Sequence, residues 1–262
     1  MLARDYITHW RAQAPWQTDR QIEQDLLLSR LIVEIARDEL LGPELAFRGG
    51  TCIHKLHLPQ PLRYSEDLDY VRTTRGGIKP IIDRLELVAD RLGLRRVEYE
   101  SSRAMVRLFV ATPATDNRPI RIKIEINIGE TESCFARITR PYAVHSPWFA
   151  GEADVQTFAL EEILATKLRA LYQRRKGRDL FDLWCVLTQT PGLDDAAIVA
   201  AHRYYMGKQL VSGEVIHTNV QRKLGRRDYL SDLEALVNEV PQAFEMAAAV
   251  ELVRLRLLVR LS

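Results

Sequence analysis

Residues 47–70 read FRGGTCIHKLHLPQPLRYSEDLDY, a glycine pair at Gly49 and Gly50 followed by the acidic run Ser65-Glu66-Asp67-Leu68-Asp69. Three carboxylates in four positions repel one another unless a cation or a set of donors sits among them. On a strand, residues two apart face the same way, so Asp67 and Asp69 project side by side while Glu66 points to the opposite face. Such a pair suits a divalent cation, because Mg²⁺ favours one or two carboxylates together with the phosphate oxygens of a substrate. The glycines fit the same chemistry. Leu45-Ala46-Phe47 is a short apolar run entering Gly49-Gly50-Thr51, and Thr51 is placed to cap a helix through Ile53 and Leu56. A glycine pair at that strand-to-helix turn lets backbone N–H groups approach phosphate with no Cβ in the way.

Downstream, residues 119–130 (PIRIKIEINIGE) alternate as a strand, with Ile120, Ile122, Ile124, Ile126 and Ile128 on one face and Arg121, Lys123, Glu125 and Asn127 on the other. Glu125 is a candidate third carboxylate for a two-metal site. The competing reading is a solvated strand face, which Arg121 and Lys123 beside it favour. Around these strands the periodicity predicts a helix from Arg20 to Leu41 stopping at Gly42-Pro43, a strand from Tyr64 to Val71, and a helix from Ile78 to Leu92 closed by Gly93. Paired strands follow at Arg95–Glu100 and Ala104–Ala111.

After about Gly151 the pattern turns helical, with helices expected at 160–174, 180–187, 194–205, 232–240 and 241–261. An N-terminal α/β part (1–150) with a small mixed sheet and a C-terminal helical part (151–262) are expected to meet in the loop-rich PYAVHSPWFAG. The stripe Leu160, Ile163, Leu164, Leu168 and Leu171 contains Lys167, whose ammonium must pair with a carboxylate or phosphate, or else reach water. In RRKGRDLFDLW, Asp179 is placed to cap the next helix. Asp182 lies among Phe181, Leu183 and Trp184, where pairing with Lys167, Arg178 or a substrate group best explains a carboxylate.

The 262 residues carry 37 Lys and Arg against 35 Asp and Glu, which excludes a uniformly basic coat and leaves only local patches. One cluster, Arg169, Arg174, Arg175, Lys176 and Arg178, is echoed by Arg222, Lys223, Arg226 and Arg227. It suits either a solvated helix face or a phosphate backbone, with Arg174, Arg175, Lys176 and Arg178 as the candidate RNA contacts. Cys52, Cys134 and Cys185 lie far apart without a CxxC spacing, which fits a reducing, cytoplasmic setting. No run approaches the length of a membrane span. His54 and His57 lack partners for a tetrahedral metal site and read as packing or phosphate-side residues. The sequence contains no G-x-S-x-G elbow, P-loop or dinucleotide fingerprint, so hydrolase, NTPase and Rossmann readings lose their usual support.

Taken in order, Gly49-Gly50-Thr51, Arg63-Tyr64-Ser65-Glu66-Asp67-Leu68-Asp69, the Glu125 strand, Lys167 and Lys176-Gly177-Arg178-Asp179-Leu180-Phe181-Asp182 resemble the nucleotidyltransferase toxins of the AbiEii type across residues 45–187. That family belongs to the DNA polymerase beta-like nucleotidyltransferase superfamily. The glycine motif here follows Phe47-Arg48, where a typical member has an aliphatic residue and Lys. The resemblance implies an α/β (α+β) fold: a polymerase-beta-like domain with a small mixed sheet, then a helical region contributing a lysine and an aspartate to the active site. It implies catalytic roles for Asp67, Asp69, Lys167 and Asp182, with Mg²⁺ held by Asp67 and Asp69 and the Glu125 question left open. Gly49, Gly50, Thr51 and Ser65 would contact the nucleotide, and Lys167 the triphosphate. The activity implied is Mg-dependent transfer of NMP from an NTP to RNA, with the tRNA 3′ end as acceptor, arresting translation, and the partner implied is an AbiEi-like antitoxin. Two alternatives stand beside it: transfer to a small-molecule or protein hydroxyl, and a catalytically silent module that binds nucleotide or antitoxin.

Overall fold

The isoleucine alternation of residues 119–130 forms an interior strand of the sheet: Ile120, Ile122, Ile124 and Ile126 are all buried, each contributing roughly 1.5–3 kcal/mol by leaving water. The computed structural model of the protein describes residues 2–112, 119–234, 236–237, 241 and 243–261. These divide into two units, Met1–Phe158 and Ala159–Ser262.

In the first unit the order is α1 (Arg4–Trp10), α2 (Asp19–Arg37), α3 (Leu41–Glu44), β1 (Leu45–Arg48), α4 (Gly49–Cys52) and a single π-helical turn (Ile53–His57). Then come β2 (Asp67–Arg72), α5 (Lys79–Arg91), β3 (Arg95–Ser101), β4 (Met105–Ala111), β5 (Arg121–Asn127), β6 (Ile138–His145) and β7 (Ala150–Thr157). The strands form one mixed sheet in the order β3-β4-β5-β2-β1-β7-β6. β2 is parallel to β5 and β1 to β7, and the other neighbours are antiparallel. Helix α2 packs on β6 and β7, and α5 on β3 and β4.

Local chemistry explains where these elements depart from the sequence reading. Helix α2 opens on a capping box, Thr18 accepting from Gln21 N while Gln21 accepts from Thr18 N. It ends at Arg37 rather than at Leu41. Asp38 takes extended backbone angles, and its carboxylate accepts from the N–H groups of Leu40 and Leu41, so the side chain caps a new turn instead of continuing the old one. Gly42 and Pro43 therefore fall inside α3 and do not stop α2. Strand β2 begins at Asp67 rather than Tyr64, because β1 has four residues and pairs with Asp69–Arg72 while β5 pairs with Asp67–Val71. The stretch PYAVHSPWFAG, expected as loop, is the hairpin of β6 and β7, turning at Ser146–Phe149. In β6 only Val144 is fully buried, so its largely exposed strand carries no apolar alternation to read.

The second unit contains α6 (Leu160–Gln173), α7 (Gly177–Gln189), α8 (Asp195–Met206), α9 (Gly213–Leu224), α10 (Arg227–Glu234) and α11 (Met246–Arg256). Asp194 caps α8 by accepting from Ala196 N and Ala197 N. Helix α9 was not anticipated: it carries only Ile216 and Val220 as fully buried apolar side chains, too thin a stripe to mark it. Of the helix expected over 232–240, residues 232–234 close α10, while 235 and 238–240 lie outside the described residues. In the stretch 241–261 residue 242 lies outside them, and the helix begins at Met246.

Candidate active site

Leu68 and Tyr70 face the core of the first unit at 0% and 2% exposure. Parity therefore sets Asp67 and Asp69 on the opposite, half-buried face of β2, while Glu66 is exposed just ahead of the strand. The register fixes their neighbours: Arg48 of β1 stands opposite Asp69, Lys123 of β5 opposite Asp67, and Glu125 opposite Asp69.

The glycine turn closes over this pair. Gly49 has φ +85°, and a Cβ built on it would lie 2.2 Å from Asp69 Oδ2 and 2.9 Å from Asp69 Cβ and Cγ, so backbone rather than a side chain rests against the carboxylate. Helix α4 already begins at Gly49, with Arg48 in the cap position and no side-chain cap bond, so Thr51 is not the cap. Its hydroxyl instead donates to the Asp67 carbonyl oxygen at 2.6 Å and sits 2.7 Å from Ser65 Oγ. Thr51 thereby ties the glycine helix to the start of β2 and draws Ser65 to the same place. The first N–H groups of a helix lack intrahelical partners, which leaves the glycine segment able to donate to an anion. Cys52, one residue on, is no nucleophile: burial pushes its thiol up to about 12, and Asp69 adds to the rise.

The strand β5 brings charge of both signs. Lys123 Nζ is 2.9 Å from Asp67 Oδ2 and 3.6 Å from Glu125 Oε2. Burial alone would lower its pKa, but the hydrogen bond to Asp67 and the negative charge of Asp67, Glu125 and Asp69 outweigh that and hold the ammonium above the ordinary lysine range. Glu125 is also engaged by Arg107, whose Nε donates to its Oε2 at 2.7 Å. Among the described residues no three His, Cys, Asp or Glu side chains are grouped as metal ligands. Two hard carboxylates beside a glycine turn fit Mg²⁺, which needs no more than that from a protein when phosphate supplies the rest. Glu125 stands in an ion-pair network with Arg107 and Lys123. His54 is buried and its Nδ1 accepts from Leu62 N, while burial lowers the pKa of His57 to about 4.

In the helical unit, Lys167, Asp179 and Asp182 form a buried cluster with Arg174. Lys167 Nζ is 2.7 Å from Asp182 Oδ2 and 3.3 Å from Asp179 Oδ1, and both aspartates have 0% side-chain exposure. Arg174 grips Asp179 with both Nε and Nη2, at 2.6 and 2.7 Å. Helix α7 starts at Gly177, so Asp179 is a first-turn residue and not the cap; its charge serves this cluster and the helix N-terminus. Burial pushes Asp179 up, but Lys167 and Arg174 win and hold it below the ordinary carboxylate value. Lys223, 6% exposed, donates to the carbonyls of Leu171 and Tyr172 at the end of α6.

Several expected RNA contacts are occupied within the chain. Arg174 is held by Asp179, Lys176 pairs with Asp232 at 3.0 Å, and Arg178 lies 3.9 Å from the same carboxylate. Arg175, Arg222 and Arg227 are exposed, with no carboxylate in ion-pair distance among the described residues. Lys123 and Arg107 were not singled out from sequence as site residues; the alternation placed Lys123 on the polar face, and only the strand register reveals what it touches.

Similarity to known proteins agrees with this architecture. The fold resembles MenT4, a nucleotidyltransferase toxin from Mycobacterium tuberculosis H37Rv, at 18% identity and a TM-score of 0.61, covering 98% of this chain and 88% of that one. It also resembles JHP933 from Helicobacter pylori, at 15% identity and a TM-score of 0.56, covering 91% of this chain and 90% of that one. No curated protein matches the sequence, and no helix among the described residues is long and apolar enough to cross a membrane. The model of the nucleotidyl transferase AbiEii toxin family, type IV toxin–antitoxin system, matches residues 30–250. The chain belongs to the AbiEii nucleotidyltransferase toxin family.

Proposed function

We propose that this toxin transfers a nucleoside monophosphate from an NTP to RNA, with the tRNA 3′ end as acceptor, and that the transfer blocks translation in the cytoplasm until an AbiEi-like antitoxin intervenes. The observation that carries the reading is the closure of Gly49 on Asp69, with Asp67 on the same strand face and Thr51 tying the turn to it. Nucleotidyl transfer makes one bond and breaks one: the acceptor oxygen attacks the α-phosphorus, the bond to the bridging oxygen breaks, and pyrophosphate leaves. Such a reaction needs positioning and charge neutralisation more than covalent chemistry from the protein. Asp67 and Asp69 would hold Mg²⁺, which when bound neutralises phosphate charge. Gly49, Gly50, Thr51 and Ser65 contact and orient the phosphates, while Arg107 and Lys123 keep Glu125 engaged. Lys167 is assigned to the triphosphate and Asp182 to its support, consistent with their 2.7 Å contact.

Purified protein, Mg²⁺, each α-labelled NTP in turn and total tRNA should give labelled tRNA, and Asp67→Ala should abolish the label. No incorporation from any NTP would sink the reading. A second reading, transfer to a small-molecule or protein hydroxyl, is favoured by the engagement of Arg174, Lys176 and Arg178 in internal ion pairs. Charge reversal at Arg175, Arg222 and Arg227 separates the two: an RNA acceptor loses affinity and part of its salt dependence, whereas a small acceptor is unaffected.

A further inference from the structure

The polar face of β5 places a cation directly on the proposed metal-binding pair. Lys123 Nζ lies 2.9 Å from Asp67 Oδ2, with its side chain 27% exposed, and the parallel register sets its Cα against that of Asp67. Around it stand three carboxylates, Asp67, Asp69 and Glu125, and two further cations, Arg107, which is hydrogen-bonded to Glu125, and Arg48, whose Cα stands opposite that of Asp69 in the register of β1 and β2. We propose that Lys123 is a built-in competitor of the divalent cation at Asp67, setting the site's affinity for a free ion low and biasing it toward an ion that arrives on a nucleotide. The inference rests on the reading of Asp67 and Asp69 as metal ligands.

The physical case is one of charge. Three carboxylates against three cations, Lys123, Arg107 and Arg48, leave a net charge near zero, which holds a bare dication weakly; with the ammonium removed the net is near −1. The hydrogen bond also engages one of the oxygens that Asp67 could offer. A dication carried on a triphosphate changes the sign of the contest, because the phosphates offer Lys123 another anion as it leaves Asp67. One unit charge a few ångströms from a dication, at a partly exposed site, corresponds to roughly tenfold or more in affinity.

The test uses Mn²⁺ alone, with the full chain and no nucleotide, read by the free-ion electron paramagnetic resonance signal and by calorimetry. Lys123→Met and Lys123→Gln should each bind Mn²⁺ about tenfold tighter than wild type, and Lys123→Arg, which keeps the charge, should stay near wild type. Asp67→Asn should remove the gain in the Lys123→Met background. Circular dichroism checks the fold of each variant, and either neutral substitution suffices if the other misfolds. Wild-type or weaker affinity in the neutral variants, with Asp67→Asn still weakening binding, overturns this inference and leaves the metal assignment standing. Mn²⁺ binding that ignores Asp67→Asn in every background overturns the metal assignment itself, and this inference with it.

Discussion

Gly49 combines two demands, and replacing it with alanine separates them from an ordinary glycine effect. Its φ of +85° is a backbone conformation that costs an L-residue about 1–2 kcal/mol. In addition, the new Cβ would meet Asp69 Oδ2 at 2.2 Å and Asp69 Cβ and Cγ at 2.9 Å. Rotating the carboxylate relieves the first contact but not the contact with Asp69 Cβ, so either the glycine turn or strand β2 must shift, by a substantial fraction of an ångström. Gly93 supplies the control: its φ is +73°, and nothing lies within 4 Å of a Cβ built there. Gly93→Ala should therefore show the strain alone, a loss of about 1–2 kcal/mol, or roughly 2–8 °C in Tm. Gly49→Ala should lose at least as much stability, and transfer activity should fall by about 100-fold, the scale expected when a reacting group is misplaced by about 1 Å. The measurements are thermal unfolding by circular dichroism and incorporation of α-labelled NTP into tRNA. If Gly49→Ala transfers nucleotide within threefold of Gly93→Ala, the carboxylate does not need the glycine against it and the site geometry argued here is wrong.

Two further outcomes test the helical unit. Lys167→Met removes one partner each of the buried Asp182 and Asp179, so it should destabilise by about 3–5 kcal/mol in urea denaturation, and the Lys167→Met/Asp182→Leu double variant should lose less than the two single changes added together. Lys223 gives a pH signature: burial pulls its ammonium from 10.5 to about 8, with Asp179 opposing the fall and Arg175 adding to it. Between those values the unfolded chain holds more protons than the folded one, so this group's contribution makes stability rise from about pH 8 to 10.5; Lys223→Met should flatten that rise, and an unchanged slope would show that the residue does not titrate there.

Periodicity carried most of the architecture. The isoleucine alternation of residues 119–130 and the amphipathic spacing before Gly93 placed β5 to within three residues and α5 to within one at each end, because each has one face buried and one face wet. What could not be read was set by single side chains or by pairing. Asp38 ends α2 through two hydrogen bonds that its place in a helical pattern does not announce, and β6 is too exposed to alternate visibly. Helix α9 is held by a buried lysine reaching the carbonyls of α6, which looks from the sequence like one more basic surface residue.

The candidate site follows the same division. Parity alone put Asp67 and Asp69 on one face and Lys123 and Glu125 on another strand's polar face, but parity does not say which strand neighbours which, nor in what register. In the sequence, Lys123 argued that Glu125 was merely solvated strand surface. With β2 parallel to β5, the lysine that made Glu125 look ordinary lies on Asp67 itself. The three carboxylates crowded into SEDLD thus sit in different surroundings: Glu66 in solvent, Asp67 against an ammonium from a strand more than fifty residues later, and Asp69 opposite Arg48 of β1 and against a glycine that leaves room for no side chain. A cation among the carboxylates was the expectation raised by their spacing; the chain already supplies one, and any divalent ion that works here must contend with it.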